Sequence, residues 1–404
     1  MKTIITRPPS GGTIKAIPSK SAAHRLLICA CLSGLDIQGV CENLSEDLKA
    51  TTECLLALRD VSECDAAGTP VLNCRESGST LRFLLPLSAV LSSEACLEGS
   101  ERLMNRPLKE LEEQLRGHGC TIDKGDGKIH ISGRLRGGKF TLPGDVSSQY
   151  ISGLLFALPL LHEDSEIRVS GGRLQSRPYV EMTTDALKQA NIMVQANYGD
   201  NETIFRIKGN QKYELSSFGL EDLEGDWSNG AFWLVADALG TKISCIGLKE
   251  DSVQGDRRIK ELIDAYNRPG EWIVDVGQTP DLVPEIALLA MARIDGELTK
   301  ITNGKRLRMK ESDRIESVVT TVNHLGGNAK ATEDEIHIVG TGNRKRRPLA
   351  LIDSFNDHRI VMMASVGALL CDGPVEIMGS QAVRKSYPGF FEDYKSLGGR
   401  VLEE

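Results

Sequence analysis

The cationic residues that could do chemistry lie mostly at predicted helix starts, beside Gly, Ser or Pro, and not along polar faces. Arginine makes bidentate contacts to phosphate and carboxylate, while lysine offers a mobile point charge. Any one of these side chains alone could be a solvated surface charge. Grouped in this way, they favour binding of substrates that carry several negative charges. The candidates are Lys20, Arg25, Arg82, Arg106, Arg177, Lys310, Arg314, Arg359 and Lys385.

A local pattern that recurs six times would position these cations: a short polar stretch runs straight into an apolar helix-like segment. Ser, Asp and Asn at such points accept hydrogen bonds from the unpaired amides of the first turn. An uncapped start instead presents those amides, and a partial positive charge, to an anion. Capped helices are common, so the pattern alone indicates a fold class; six starts facing one cleft would make an anion-binding chamber. The six stretches begin at Ser19, Glu76, Asp145, Asp226, Thr279 and Asn356.

A second repeat reads helix, polar break, strand, tight turn and strand. Its turn chemistry and alternating strand residues predict hairpins. Each instance follows one of the polar helix starts, so the repeating unit is βαβαββ, roughly 50–80 residues long. The predicted strand pairs are 120–122 with 129–133, 192–194 with 204–209, and 328–330 with 336–340.

Six such units in 404 residues predict an α/β (α+β) protein of two domains with three units each. The polar stretch Ser216–Gly225 marks the boundary. The first strand, Ile4–Thr6, is separated from the first helix by a turn-rich stretch, so it can belong to the other domain. We therefore predict one domain of residues 1–15 plus 224–404, another of residues 16–223, and two chain crossings side by side as a hinge.

Composition excludes several classes of protein. The net charge of −8 argues against a general nucleic-acid binder, although local clusters can still focus a positive field on a small anion. The apolar run Ile151–Leu161 is too short to span a membrane, and the first residues lack a secretory signal. The ten cysteines include no CxxC pair, which indicates structural thiols in a reducing compartment. We expect a cytoplasmic protein with no metal and no membrane partner.

Seven stretches resemble, in order, the signature motifs of the 5-enolpyruvylshikimate-3-phosphate synthase family, and together they span residues 19 to 388. One such motif would be weak evidence, whereas seven in register are specific. The stretches are Ser19-Lys20-Ser21-Ala22-Ala23-His24-Arg25, Arg106-Pro107, Gly144-Asp145-Val146-Ser147-Ser148-Gln149-Tyr150, Ser176-Arg177-Pro178-Tyr179, Arg308-Met309-Lys310-Glu311-Ser312-Asp313-Arg314, Asn356-Asp357-His358-Arg359 and Lys385-Ser386-Tyr387-Pro388.

The resemblance implies transfer of the enolpyruvyl group of phosphoenolpyruvate to the 5-hydroxyl of shikimate 3-phosphate, with release of phosphate. It implies no metal and no organic cofactor. It also implies a monomer with two inverse α/β-barrel-like domains, each of three βαβαββ units, and an active site in the cleft between them. The six units counted from the sequence agree with that architecture.

The resemblance also assigns roles to individual residues. Ser hydroxyls suit a phosphate monoester and ring hydroxyls, whereas Arg and Lys suit the two acidic groups of phosphoenolpyruvate. A glycine would let the backbone approach a ligand closely. The implied shikimate 3-phosphate contacts are Lys20, Ser21, Arg25, Ser147, Ser148, Gln149, Ser176, Asp281 and Lys310. The implied phosphoenolpyruvate contacts are Lys20, Gly78, Arg106, Gln149, Arg314, Arg359 and Lys385.

By the same resemblance, Glu311 and Asp281 are the two catalytic carboxylates, and Lys20, Lys385 and His358 assist them. A helix through residues 310–314 would put Lys310 and Arg314 on one face and turn Glu311 partly away from both. Asp281 could equally be a helix-capping aspartate. Its spacing to Lys310 exceeds the usual family spacing by about two residues, so Glu285, one turn later, is the alternative second carboxylate.

Two positions depart from the family pattern. Glu76-Ser77-Gly78-Ser79 stands where many members have Asn-Ala-Gly-Thr, which places an acidic residue near the implied phosphoenolpyruvate contacts. Arg306 lies where an Asn often contacts the shikimate phosphate. The sequence therefore leaves the roles of Glu76 and Arg306, and sensitivity to glyphosate, undecided.

Two other functions compete with this interpretation. A sister enolpyruvyltransferase acts on UDP-N-acetylglucosamine and typically carries a reactive Cys on an Arg/Gly-rich loop, but no Cys here has that setting. A non-catalytic anion-binding protein on the same scaffold would need the cations but not the carboxylates Glu311 and Asp281.

Overall fold

A computed structural model describes residues 1–38, 45–64, 68–145, 147–171, 174–199, 201–219, 223–342 and 344–404. Val146 in the third predicted helix start, Asp200 in the second predicted turn, and residues 220–222 of the predicted boundary lie outside the described residues. Among the described residues, no helix is long and apolar enough to cross a membrane.

The helices, in chain order, are α1 (Lys20–Leu32), α2 (Glu46–Cys64), α3 (Gly78–Leu91), α4 (Glu101–Met104), α5 (Lys109–Gly117), α6 (Ser148–Ala157), α7 (Arg177–Gln189), α8 (Trp227–Ala238), α9 (Ile259–Tyr266), α10 (Val283–Ala292), α11 (Arg314–His324), α12 (His358–Gly367) and α13 (Phe390–Ser396). The strands are β1 (Lys2–Arg7), β2 (Gly11–Lys15), β3 (Val71–Asn73), β4 (Glu94–Glu98), β5 (Cys120–Gly125), β6 (Lys128–Gly133), β7 (Gly138–Pro143), β8 (Ser165–Ser170), β9 (Val194–Tyr198), β10 (Glu202–Ile207), β11 (Lys242–Ile246), β12 (Trp272–Asp275), β13 (Leu298–Thr302), β14 (Asn328–Ala331), β15 (Ile336–Val339), β16 (Ile352–Asp353), β17 (Val375–Met378) and β18 (Arg400–Glu403).

The chain divides into two compact units. One consists of Lys20–Leu223, and the other combines Met1–Ser19 with Glu224–Glu404. Each unit has its own cluster of buried apolar side chains. We call them the continuous unit and the split unit.

The continuous unit contains two four-stranded sheets of the same topology, in the orders β3-β4-β6-β5 and β7-β8-β10-β9. In each sheet a parallel pair is joined through a helix, and the last two strands form an antiparallel hairpin. The hairpin β5–β6 confirms the first predicted strand pair. The hairpin β9–β10 confirms the second pairing, but its first strand is Val194–Tyr198 and not 192–194.

The split unit repeats this topology in the sheets β12-β13-β15-β14 and β16-β17-β1-β18. The hairpin β14–β15 confirms the third predicted pair. In the second sheet the N-terminal strand β1 takes the place that β15 has in the first, between β17 and β18. Strand β2 pairs in parallel with β11. The described strands form open sheets, none of which closes on itself, so the architecture is mixed α/β.

Two helices of the split unit are buried on every side, which explains why their sequences are mostly apolar and not amphipathic. All ten residues of α10 and all ten of α12 are buried. In the continuous unit, α6 is buried in the same way apart from Gln149 in its first turn. Because such helices have little room for polar groups along their length, their polar residues concentrate at the N-terminal ends.

Candidate active site

Four of the six predicted helix starts are capped by the predicted type of residue. Ser77, Ser147, Asp226 and Asp357 are the N-caps of α3, α6, α8 and α12, respectively, and each side chain accepts a backbone amide hydrogen bond. The amide-to-oxygen distances are 3.2, 3.3, 2.8 and 3.0 Å in that order. These caps fix the orientation of the residues that follow, including Gly78, Gln149 and Arg359.

Asp281 is not a helix cap, so that alternative was wrong. It lies within a 3-10 turn, Pro280–Leu282, that leads into α10, and its carboxylate faces cations. Its Oδ1 lies 2.8 Å from Nη1 of Arg314 and 3.3 Å from Nζ of Lys310, and its Oδ2 lies 3.2 Å from Nη2 of Arg359. Three cationic side chains therefore meet at one carboxylate.

The predicted helical face through Lys310 and Arg314 was also wrong. A 3-10 turn ends at Met309, and α11 begins only at Arg314, so Lys310 and Glu311 lie in the connection. That connection turns Glu311 towards Arg314, and Oε2 of Glu311 lies 2.6 Å from Nη2 of Arg314. The two predicted catalytic carboxylates, Asp281 and Glu311, are thus held by the same guanidinium.

Arg314 is the centre of this cluster. Its side chain is 1% exposed, and besides Asp281 and Glu311 it contacts Asp357, whose Oδ2 lies 3.1 Å from both Nε and Nη2. Burial lowers the pKa of Arg314, but the three carboxylates outweigh it, and the net pKa lies above its ordinary value. Such a buried charge is tolerated because every side of the fork is paired.

Lys310 has a lowered pKa. Burial is the largest cause, Arg314 and Arg306 add to it, and Asp281 and Glu311 oppose it. Arg306, the departure from the family pattern, donates from Nη2 to the carbonyl oxygen of Gly277 at 3.0 Å. Arg306 is therefore close enough to lower the pKa of Lys310.

The remaining predicted residues of the split unit lie at the start of α12 and in the turn Ser380–Lys385. Nζ of Lys385 donates to the carbonyl oxygen of Asn356 at 2.7 Å. His358 is buried, with Nδ1 3.9 Å from Oδ1 of Asp357. Asn356 has a left-handed backbone, φ 55°, a conformation that is uncommon outside glycine and turns the chain into the helix. The assisting role implied for His358 stays a prediction.

Two further acids of the split unit lie near these groups. Asp256 precedes α9 and is buried, and Oγ of Ser228 donates to it. Its pKa is raised to about 6, chiefly by burial and in addition by Asp281, while Arg359 opposes the shift. Glu285, the alternative catalytic carboxylate, is fully buried on α10, and its pKa is raised well above the ordinary value, chiefly by burial.

In the continuous unit, the start of α1 meets the start of α2. Nζ of Lys20 lies 3.0 Å from Oδ2 of Asp47. His24, one turn along α1, is buried, and burial together with Lys20 and Arg25 holds its pKa well below the ordinary value. The neutral imidazole shares a hydrogen bond of 2.8 Å with Oγ1 of Thr51.

The start of α3 is crowded by two guanidinium groups. A Cβ placed on Gly78 would lie 2.6 Å from Nη1 of Arg106 and 2.9 Å from Nη1 of Arg82. Arg82 also donates from Nη1 to Oε1 of Gln149 at 2.7 Å, and Nε2 of Gln149 donates to Oγ of Ser79 at 2.8 Å. Any side chain at position 78 would therefore have to displace these guanidinium groups, and Gln149 ties α6 to the same place.

Arg25 is more deeply built into the fold than a surface ligand contact would be. Its guanidinium donates to Thr183 at 2.8 Å, to the carbonyl of Ser21 at 2.6 Å and to that of Tyr179 at 2.8 Å. Burial lowers its pKa to about 10. It joins α1 to α7 and thereby places Ser21 relative to the start of α7.

The serines predicted to contact shikimate 3-phosphate occupy the starts of α6 and α7. Ser147 caps α6 and Ser148 is its first residue. Ser176 precedes α7 in a left-handed conformation, φ 52°, and its side chain makes no capping hydrogen bond. Strained backbone of this kind is found disproportionately at functional sites.

Sequence reasoning did not assign Asp47, Arg82, Asp256 or Asp357 to the site. Arg82 stood among the noted cations, but its link to Gln149 joins residues 67 positions apart. Asp357 stood within a quoted motif, where its role was capping, and the structure adds its contact with Arg314. Nothing in the local sequence signals Asp47 as the partner of Lys20.

Comparison with known proteins agrees with the motifs. The model of the EPSP synthase (3-phosphoshikimate 1-carboxyvinyltransferase) family matches residues 6–394. A 3-phosphoshikimate 1-carboxyvinyltransferase of Clostridium kluyveri is 38% identical over 421 aligned positions, covering 97% of this chain and 96% of that protein. One of Clostridium perfringens is 37% identical, with both chains covered completely.

Solved structures show the same fold. EPSP synthase from Acinetobacter baumannii superimposes with a TM-score of 0.75 at 21% identity, with both chains covered completely. The enolpyruvyl transferase NikO from Streptomyces tendae superimposes with a TM-score of 0.72 at 13% identity, covering 99% of this chain and 98% of its own. The family resemblance drawn from the motifs is thereby confirmed: the chain belongs to the EPSP synthase family.

Proposed function

We propose that this protein transfers the enolpyruvyl group of phosphoenolpyruvate to the 5-hydroxyl of shikimate 3-phosphate and releases phosphate. The observation that carries the proposal is the cluster in which Arg314 holds both Asp281 and Glu311, with Lys310 and Arg359 on the same Asp281. Cations alone would suffice to bind two anions. Carboxylates placed among them add the means to move protons.

The proposed reaction requires proton transfer at two places. A bond forms between the acceptor oxygen and C2 of phosphoenolpyruvate, the bond from C2 to the phosphate oxygen breaks, and the product regains its double bond. The acceptor hydroxyl must lose its proton, and the methylene carbon must gain a proton and lose one again as phosphate leaves. General acid–base groups typically contribute ~10²–10⁴-fold each, and holding both substrates together supplies much of the rest.

In this proposal Asp281 and Glu311 are the proton-transferring carboxylates, and Lys20, Lys385 and His358 assist them. The contacts of Asp281 with three cations favour it over Glu285, which is fully buried. Cations keep a carboxylate ionised and able to accept a proton.

The anion-binding roles are proposed in two groups. Lys20, Ser21, Arg25, Ser147, Ser148, Gln149, Ser176, Asp281 and Lys310 bind shikimate 3-phosphate. Lys20, Gly78, Arg106, Gln149, Arg314, Arg359 and Lys385 bind phosphoenolpyruvate. Support for the first group comes from the serines at the starts of α6 and α7, and for the second from the two guanidiniums packed on Gly78.

We also propose the finer architecture that the family implies: two inverse α/β-barrel-like domains, each of three βαβαββ units, with a two-stranded hinge. The continuous unit and the split unit each contain two four-stranded sheets of the same topology, which supports this architecture. The proposed reaction draws on both halves, because the serines belong to one and the two carboxylates to the other. A cytoplasmic monomer is part of the same proposal.

The deciding experiment measures phosphate released from phosphoenolpyruvate with either shikimate 3-phosphate or UDP-N-acetylglucosamine as the acceptor. We expect release only with shikimate 3-phosphate. Release only with the UDP-sugar would overturn the proposed acceptor. Release with neither acceptor, while calorimetry still detects binding of phosphoenolpyruvate and shikimate 3-phosphate, would favour a non-catalytic anion-binding protein.

A further inference from the structure

Ser312 carries a buried hydroxyl that directly follows Glu311. It lies in the connection between the 3-10 turn Lys305–Met309 and α11, and its side chain is 1% exposed. Its Oγ lies 2.9 Å from Oδ2 of Asp357 and 2.9 Å from Oγ of Ser317. The connection lies outside the described helices and strands, so side-chain hydrogen bonds take over the task of holding it in place.

The directions of these two hydrogen bonds follow from the groups involved. The carboxylate of Asp357 accepts, and its Oδ2 also accepts from Nε and Nη2 of Arg314, each at 3.1 Å. The hydroxyl of Ser312 therefore donates to Asp357. A hydroxyl has one proton, so in the bond between the two serines Ser317 is the donor. Ser317 is buried as well, and the chain from Ser317 through Ser312 to Asp357 is shielded from water along its length.

The bond from Ser312 to Asp357 closes a ring around Glu311. Oε2 of Glu311 lies 2.6 Å from Nη2 of Arg314, and the same nitrogen lies 3.1 Å from Oδ2 of Asp357. That oxygen accepts from Ser312, and the peptide bond between residues 311 and 312 completes the ring. Both ends of the Glu311 side chain, its carboxylate and its backbone, are thus held relative to one oxygen atom.

The contact with Arg314 alone would not fix Glu311. A glutamate side chain turns about three single bonds, so its carboxylate could follow the guanidinium from more than one backbone position. The bond from Ser312 to Asp357 removes this freedom because it holds the backbone beside Glu311. Asp313 secures the other end of the connection, since it caps α11 by accepting from the amide of Glu316 at 3.2 Å.

We infer that Ser312 is a positioning residue for Glu311: its hydroxyl holds the connection against Asp357, so that the Glu311 carboxylate keeps a fixed place beside Arg314. In this role Ser312 neither contacts a substrate nor exchanges a proton. The inference rests on the proposed function, in which Glu311 transfers a proton. Misplacement of a reacting group by about 1 Å can cost up to ~100-fold in rate, which sets the size of the expected effect.

The test removes the hydroxyl in two backgrounds and measures phosphate release with both substrates varied. In the wild-type background, Ser312→Ala should lower kcat by roughly 10- to 100-fold and change either KM much less. In a Glu311→Gln background, the same substitution should lower kcat by less than about twofold, because the group that Ser312 positions has already lost its function. A general loss of packing would instead lower kcat by the same factor in both backgrounds.

Control variants separate the hydroxyl from packing. Ser312→Thr keeps the hydroxyl and should retain most of the wild-type kcat. Ser365→Ala removes another buried hydroxyl, which donates to the carbonyl oxygen of Val361 at 2.8 Å on α12, and should leave kcat unchanged. The urea unfolding midpoint shows whether each variant is folded in the assay. If Ser312→Ala is unfolded, Ser312→Cys takes its place, and its weakly donating thiol should give the same loss of kcat.

The outcomes separate this inference from the proposed function. Suppose that shikimate 3-phosphate supports turnover of the wild type. The inference is then wrong, and the function stands, if loss of the hydroxyl leaves kcat unchanged, acts mainly on KM, or lowers kcat equally in both backgrounds. A loss with Ser312→Thr as large as with Ser312→Ala would also overturn it. If neither acceptor supports turnover, the proposed function fails, and the role of Ser312 fails with it.

Discussion

At the scale of single residues, Arg314 shows how one side chain can organise the candidate active site. Its planar fork has donors on three sides, and each side meets a different carboxylate: Asp281, Glu311 or Asp357. A lysine would offer one point charge and could not hold three acids in fixed directions. Asp281 and Glu311 are the proposed proton-transferring groups. Because both are bound to the guanidinium of Arg314, the position of Arg314 sets the distance between these two carboxylates.

Glu311→Gln should therefore lower kcat by at least ~100-fold, because it removes a proton-transferring group while it preserves shape and polarity. KM for either substrate should change much less. The measurement is steady-state phosphate release with both substrates varied. Glu316→Gln is the matched control, since its carboxylate is exposed and pairs only with Arg308 among the described residues. A kcat within a few-fold of the wild type would remove Glu311 from the mechanism.

At the scale of elements, helix starts position the proposed ligand contacts. The start of α3 leaves little space for a side chain at position 78. The guanidiniums of Arg82 and Arg106 occupy the space that a side chain at position 78 would need. Both can hold these positions because residue 78 is a glycine. Gln149 at the start of α6 then holds Arg82 from the other side. A change at Gly78 should consequently affect binding more than stability.

Gly78→Ala should raise the KM for phosphoenolpyruvate by about tenfold or more. A methyl group 2.6 Å from Nη1 of Arg106 must displace that side chain. Alanine is favoured over glycine in a helix by up to ~1 kcal/mol, so the stability of the protein should not fall. The check is KM for each substrate together with the urea unfolding midpoint. Gly117→Ala, also at a helical position but with open space around its Cβ, should leave KM unchanged. Equal effects of the two substitutions on KM would contradict this account.

A second element-scale feature is the end of α10, where Arg293 joins three segments. Its side chain is 1% exposed and donates to the carbonyls of Tyr266, Arg268 and Gly270, as well as to Leu298, Thr299 and Glu297. These bonds tie the connection between α9 and β12 to the beginning of β13. Four partly buried carbonyls depend on one guanidinium.

Arg293→Lys should destabilise the protein by at least about 2 kcal/mol, because a single ammonium group leaves several of these carbonyls without a donor. Urea denaturation followed by circular dichroism gives the free energy of unfolding. Lys300→Gln, which breaks an ion pair with Glu271 nearer the surface, should cost less than ~1 kcal/mol. If the two variants lose similar stability, the hydrogen bonds of the buried Arg293 side chain contribute little.

The sequence predicted the helix starts and hairpins well because their signals are local. Ser77, Ser147, Asp226 and Asp357 each cap within three residues of themselves, and a turn residue acts on its immediate neighbours. The pairing of charges was not predicted, since Asp281 and Lys310 are 29 positions apart and meet only in the folded chain. The helical face assumed for Lys310 failed for a related reason: Asp313 caps α11 and starts the helix at Arg314.

At the scale of the whole molecule, the path of the chain gives the two units different requirements. The continuous unit uses one uninterrupted segment, Lys20–Leu223. The split unit needs its first nineteen residues, because β1 is an inner strand that pairs with both β17 and β18, and β2 pairs with β11. Without β1, β18 would lose the one strand it pairs with among the described residues, β17 would keep only β16, and both would expose unpaired backbone groups.

A fragment of residues 20–223 should therefore fold alone and unfold cooperatively in urea, because its core lies within the segment. A fragment of residues 224–404 should lack a cooperative transition, and a synthetic peptide of residues 1–19 should restore it by supplying β1 and β2. The same peptide with Ile5→Asp is the control, since Ile5 is buried in the core of the split unit and the change would block docking. Cooperative unfolding of 224–404 without the peptide would show that β1 is dispensable, and that the chain crosses between units for a reason other than the completion of this sheet.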